Sequence, residues 1–195
     1  MERRSFLHGM SSILPVAALQ EILANRLEAQ GAPTQAPALH VVGAGQDRFN
    51  QPHTIGFSTG MSFKVATTDT NGGLFVIEHT HLAPGGPPLH LHIQQEEWFY
   101  VMAGEVAFQV GDQRINLRGG ESVLAPRRIP HTFSSVGPEP ARMLIAFCPA
   151  GKMEQYFHEV EVNPKRNADP DFYKSCEMEL VGPSPFWKTQ MLQSP

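Results

Sequence analysis

The sequence predicts an all-β body of short antiparallel strands, with short helices appended after it. Three observations predict this: 17 glycines and 17 prolines among 195 residues, period-two alternation of apolar residues from Ala38 to about Phe147, and a change to helical spacing after Gly151. At this length, and with 41% hydrophobic residues, one domain with a real core is expected.

Taken in order, residues 54–57, 61–67 and 73–79 read as strands, separated by turn chemistry at 58–60 and 69–72. The loop Ala83-Pro84-Gly85-Gly86-Pro87-Pro88 cannot continue a ladder, because proline lacks the donor. It ends one strand and delivers His90 to the next. Val106, Phe108 and Val110 alternate up to Gly111-Asp112, and Ile115 and Leu117 continue beyond, which is the pattern of a tight hairpin. Gly119-Gly120 turns again before Val123-Leu124-Ala125, and 141–147 is the last apolar strand. So many short strands with close turns imply a sandwich or closed barrel, an arrangement that also removes exposed edges. Past it, Met153, Tyr156, Phe157 and Val160 fall at i, i+3, i+4 and i+7, so a helix follows; 169–180 is read as a second helix and 183–195 as an irregular tail.

The N-terminal stretch, 1–38, is read as an appendage to a barrel spanning 39–150, with 151–195 as a C-terminal helical extension and tail. Arg3, Arg4, Ser5, Phe6 and Leu7 resemble the core of a twin-arginine export signal, and Ala36-Pro37-Ala38 offers a cleavage site. Export to the periplasm is therefore the expectation. The alternative is an amphipathic helix of a cytoplasmic protein, built on Leu19, Ile22, Leu23 and Leu27. The apolar stretch near the start is too short and too polar for a stable membrane span. A net charge of -4 without a basic cluster argues against nucleic acid as a partner. Two cysteines, Cys148 and Cys176, cannot make a disulfide framework or a cysteine zinc site, and are read as buried free thiols.

The chemistry concentrates in HLHIQQEEWFYVMAGE, residues 90–105. His90 and His92 are two apart, so on a strand both point to one face. Glu97 follows, sharing a face with Phe99 and Val101, and His131 arrives from a different hairpin in PRRIPHTF. Imidazoles and carboxylates are costly to bury beside Trp98, Phe99 and Tyr100, and a metal ion would supply the reason. Three imidazoles and one carboxylate suit one divalent transition metal, Fe, Mn, Ni, Co or Cu, with Zn also accommodated, better than Mg or Ca. Such a site keeps up to two octahedral positions for a small-molecule substrate, water or dioxygen. Glu96 competes with Glu97 for the ligand role, and spacing to Gly104 favours Glu97. His79 and His81 share the two-residue spacing but no glutamate or glycine register follows them, so they read as ordinary polar residues at a strand end.

These residues resemble the cupins. His90-x-His92-x4-Glu97-x6-Gly104 matches that family's first motif, with its leading glycine displaced to Gly85 and Gly86. Gly120-x5-Pro126 with His131 falls in register with the second, although Arg128 stands where the family has glycine and Ser135 where it has asparagine. The resemblance covers roughly residues 54–150. It implies an antiparallel double-stranded β-helix, the jelly-roll barrel, with the metal inside, and a homodimer paired through sheet edges. The overall pattern is similar to bacterial single-domain cupins resembling quercetin 2,3-dioxygenases, which implies a dioxygenase acting on a quercetin-like phenol or enol. In that reading Glu97 is ligand and general base, and Phe99, Val101 and Phe133 wall the substrate pocket. A small-molecule-binding module without turnover, and a non-oxidative isomerase or decarboxylase, use the same residues and stay open.

Overall fold

The computed structural model describes residues 39–186; the candidate export signal or helix within 1–38 and the last nine residues of the expected tail lie outside them. All elements below belong to the unit Val42–Pro195.

Eleven strands form two antiparallel sheets. They are β1 (His53–Ile55), β2 (Ser58–Val65), β3 (Phe75–Leu82), β4 (Leu89–His92), β5 (Glu96–Ala103), β6 (Glu105–Val110), β7 (Gln113–Arg118), β8 (Ser122–Ala125), β9 (His131–Ser135), β10 (Ala141–Cys148) and β11 (Met178–Gly182). One sheet has the order β1-β2-β3-β10-β5-β8 and the other β11-β4-β9-β6-β7. The all-β jelly-roll expectation holds. Helices α1 (Met153–Val162) and α2 (Pro170–Ser175) follow, joined by a 3₁₀ turn over Pro164–Ala168.

The inward faces follow the period of two. β10 buries Ala141, Met143, Ile145 and Phe147, and β5 buries Glu97, Phe99 and Val101 while Trp98 and Tyr100 stack on the outside with ring centroids 5.8 Å apart. Helix α1 buries Met153, Tyr156, Phe157 and Val160, the four residues whose spacing predicted it. Phe157 meets Phe75 and Phe147 from the two flanking strands, so α1 is an apolar cover on the barrel interior.

Several expectations need correction. The stretch 58–60, expected as a turn, begins β2, and β3 runs to Leu82 rather than stopping at His79. The second helix ends at Ser175, because Glu177 adopts φ 60°, and the chain then forms β11 against β4. A strand from beyond residue 150 therefore completes the sheet that carries the two histidines. Cys176 is buried as expected, but Cys148 is exposed, and both are free. Among the described residues no helix is long and apolar enough to cross a membrane.

Candidate metal centre

β4 places His90 and His92 on the interior face, and His131 on β9 stands directly opposite His90. β5 brings Glu97 from the other sheet. All four are buried, and one ligand atom from each lies within 4.8 Å of the others. Glu96, one residue away, points outward and takes the backbone N–H of Arg127 at 2.7 Å and its Nε at 2.5 Å, so the parity of β5 turns Glu97, not Glu96, to the interior.

Hydrogen bonds orient two of the rings. His90 Nδ1 donates to the carbonyl of Pro88 at 2.8 Å and His131 Nδ1 to that of Ile129 at 2.9 Å, since a carbonyl can only accept. Each Nε2 is thereby turned to the cluster, the outer-shell arrangement usual for metal-ligating histidine. His131 Nε2 lies 2.7 Å from Glu97 Oε2, so without an ion this ring has an acceptor at each nitrogen and shares a second proton with the carboxylate. Burial pushes His131 down, but the adjacent Glu97 carboxylate outweighs it and raises its pKa. Burial would raise Glu97, yet the neighbouring His131 and His92 hold it well below the usual carboxylate range. His90, with no carboxylate in contact, is pushed down to about 3 by burial and then by the other two imidazoles.

The residues fit a cation. Neither ring nitrogen of His92 has a hydrogen bond, although Nε2 stands 3.0 Å from Glu97 Oε2, and an orphaned, buried imidazole beside a carboxylate is costly without a ligand. The second proton on His131 is likewise one that a cation would replace.

The family's glycine position, Arg128, adopts φ 64°, a left-handed conformation that glycine takes without strain. Its backbone N–H donates to the carbonyl of His92 at 2.7 Å, tying the loop before His131 to β4. Close approach also governs the loop before β4: a Cβ on Gly86 would lie 1.6 Å from the carbonyl oxygen of Phe133.

Above the cluster, Phe57, His79, Phe133, Ile145 and Phe147, together with α1, enclose a cavity that also contacts His90 and Glu97. Its free volume is about 30 Å³, room for a water or two but not for an aromatic ring. Of the expected pocket walls, Phe133 lines it; Phe99 and Val101 are fully buried in the core and are not among its lining residues. Tyr156 lines the cavity, and Tyr173 packs beside it. Their hydroxyls lie 3.1 Å apart, and the Tyr173 ring packs edge-on against His90. Burial raises the Tyr173 phenol to about 12 and Tyr156 well above its usual value, so both stay protonated.

Two features escaped the sequence. His79 is not a strand-end residue but sits inside the barrel, whereas His81 is exposed as expected. The parity of Phe75, Ile77 and His79 was the available signal. His53, His158 and Glu161 also come together, with His53 Nδ1 2.8 Å from Glu161 Oε2. His158 and Glu161 are an i, i+3 pair on α1, but no sequence spacing joins them to His53, because β1 lies a hundred residues earlier.

Comparisons with known proteins agree with this architecture. Residues 78–147 match the family model described as a cupin domain. A protein named oxidoreductase iacF, from Pestalotiopsis fici, is 31% identical over 102 residues, covering 52% of this chain and 49% of that protein. The matched region thus spans about half the length of that curated relative. Among solved structures, an RmlC-like cupin from Shewanella frigidimarina superposes with a TM-score of 0.50 at 19% identity, covering 60% of this chain and 96% of that one. A double-stranded β-helix protein from Klebsiella pneumoniae gives 0.40 at 23% identity, covering 46% and 75%.

Proposed function

Since this chain belongs to the cupin superfamily, we propose that it is a metal-dependent oxidoreductase, a dioxygenase acting on a small phenolic or enolic compound of the quercetin kind. The observation that carries this reading is the convergence of four buried ligands at one end of an apolar cavity. The relative named as an oxidoreductase supports it. When bound, an Fe, Mn, Ni, Co or Cu ion would supply Lewis acidity and a route for electrons.

The chain's own residues supply the rest. His90, His92 and His131 would hold the ion with Glu97. Glu97 lines the cavity, within reach of the hydroxyl proton of a phenol or enol seated beside it, and a bound ion would make that hydroxyl more acidic toward the carboxylate. Phe57, Phe133, Ile145 and Phe147 exclude water from the reacting centre. Because the free volume is so small, a ring-sized substrate enters only when the α1 side chains give way. The paired arginines Arg3 and Arg4 support export of the folded protein, and N-terminal sequencing of material from an export-competent host tests that.

The direct test is elemental analysis of protein matured with a balanced metal supply, followed by oxygen uptake with quercetin and related flavonols. Near-stoichiometric redox metal with uptake, lost in Glu97→Gln, is the expected result. Product without oxygen consumption would instead establish an isomerase or decarboxylase. The tightly closed cavity favours a second reading, a small-molecule-binding module, for which ligand would bind with no product at all.

A further inference from the structure

His79 is 1% exposed, and neither ring nitrogen has a hydrogen-bond partner. A buried polar group in that condition is destabilising, and leucine or phenylalanine would fill the same place without the loss. The ring lies between Phe57, at 5.9 Å between centroids, and Phe133, at 6.4 Å, and it lines the cavity that also reaches His90 and Glu97. It does not belong to the four-ligand cluster. Burial pushes it down to about 4 against the opposing pull of Glu97, so the ring is neutral, with one N–H to donate and one nitrogen to accept.

The sheet register fixes where His79 stands relative to the cluster. Phe75, Phe147 and Glu97 form one rung across β3, β10 and β5; Ile77, Ile145 and Phe99 form the next inward rung; His79, Met143 and Val101 form the one after. Four residues along and two strands across correspond to roughly 16 Å between Cα atoms in a flat sheet, and converging inward side chains shorten that to on the order of 10 Å. The cavity therefore has a polar group at each end and apolar walls between.

We infer that His79 anchors the far end of the ligand, hydrogen-bonding a hydroxyl or carbonyl on a ring whose phenolic or enolic oxygen sits at the His90, His92, Glu97 and His131 end. The inference rests on the reading of that cluster as the ligand-binding centre. It narrows the substrate class to two-ended compounds with an apolar, ring-sized middle and a polar group at each extremity. Phenols with a single hydroxyl satisfy one end only and leave the imidazole unpaired.

The test uses full-length protein loaded with cobalt, whose visible absorption reports a phenol oxygen reaching the centre, with binding measured by calorimetry. The probes are 4-hydroxyacetophenone, polar at both ends, and phenol, polar at one. The wild type is expected to bind the two-ended probe at least tenfold more tightly. His79→Leu should bind both probes equally, keep its cobalt, and melt no lower than wild type, because an unpaired imidazole has been removed; His79→Gln should restore part of the discrimination. Equal binding of the two probes by the wild type, with cobalt absorption perturbed by both, overturns the role of His79 alone. A His79→Leu protein that melts several degrees lower overturns it as well, by showing a structural imidazole. No perturbation of the cobalt absorption by either probe overturns both the anchor and the reading on which it rests.

Discussion

Metal addition to the ion-free protein should raise its melting temperature, and the four-ligand geometry sets by how much. The ligand atoms already lie within 4.8 Å of one another in a buried site, so little ordering is required on binding. A ligand at a hundred times its dissociation constant stabilises the native state by about 2.7 kcal/mol. In a chain of 150–250 residues each kcal/mol moves the midpoint by about 2–4 °C, so Co²⁺ or Ni²⁺ at that ratio should raise it by about 5–10 °C. Glu97→Gln exchanges the single anionic ligand for a neutral amide of the same shape. A tenfold loss of affinity leaves about 1.4 kcal/mol at the same concentration, which halves the shift. Affinity should also fall as pH drops, because His131, raised by Glu97, must give up a proton to bind. Differential scanning fluorimetry at fixed metal concentration reads all of this. Equal shifts in wild type, Glu97→Gln and His131→Ala would refute the reasoning, and would direct attention to His53, His158 and Glu161 instead.

Three further outcomes are expected. Glu78, with 3% of its side chain exposed, receives Arg142 Nη2 at 2.6 Å and pairs with Lys64 Nζ at 2.8 Å. Glu78→Gln should cost about 1–2 kcal/mol by denaturant midpoint, because two charge-assisted hydrogen bonds weaken while Arg142 stays open to water and Lys64 keeps the carbonyls of Gly43 and Gln46. Burial would raise Glu78, but the two cations outweigh it and lower its pKa, so its contribution is present above the unfolded carboxylate range and is lost as pH falls; the acid limb of the stability profile should flatten in the variant. Gly86→Ala should fail to fold, given the 1.6 Å contact with a backbone oxygen, while Gly72→Ala, with φ 82° and nothing within 4 Å, should lose only about 1–2 kcal/mol in a thermal melt. Phe157→Ala should lose about 3–5 kcal/mol and recover part of its melting temperature when phenol is added, because it opens a hole beside Phe75 and Phe147.

What could be read from the sequence was what local periodicity encodes. His90 and His92 announce themselves because two residues is the repeat of a strand, whereas only the spacing to Gly104 favoured Glu97 over Glu96, since either parity of the strand carries aromatic neighbours. His131 was reachable only through its register in a family motif, since its pairing with His90 is non-local. β11 was hidden for a physical reason: Asp169-Pro170 is a genuine helix start, with the Asp169 carboxylate accepting from Asp171 and Phe172, and the stop at Glu177 depends on a left-handed residue that is not glycine. The pocket walls were misjudged because inward parity places a side chain in the interior without saying whether it meets core or cavity. Phe99 meets Phe108 and Phe133, whereas Phe133 reaches the cavity as well.

Helix α1 links these observations to ligand choice. Its buried side chains Met153, Tyr156, Phe157 and Val160 are each worth about 1.5–3 kcal/mol, so exposing all four would cost at least about 6 kcal/mol and leave well under one molecule in a thousand open. Polar ties add to this: Glu154 accepts the backbone N–H of Thr67 at 2.7 Å, and Tyr156 donates to Asn167 at 2.7 Å. A small polar ligand could not offset that cost, because it would leave the displaced aromatics in water. A ligand with an apolar middle covers them again, so entry becomes an exchange of one set of apolar contacts for another. If the proposed function holds, the closure over the barrel and the unpaired His79 within it select for the same molecule, apolar in its centre and polar where it would meet Glu97 at one end and an imidazole at the other.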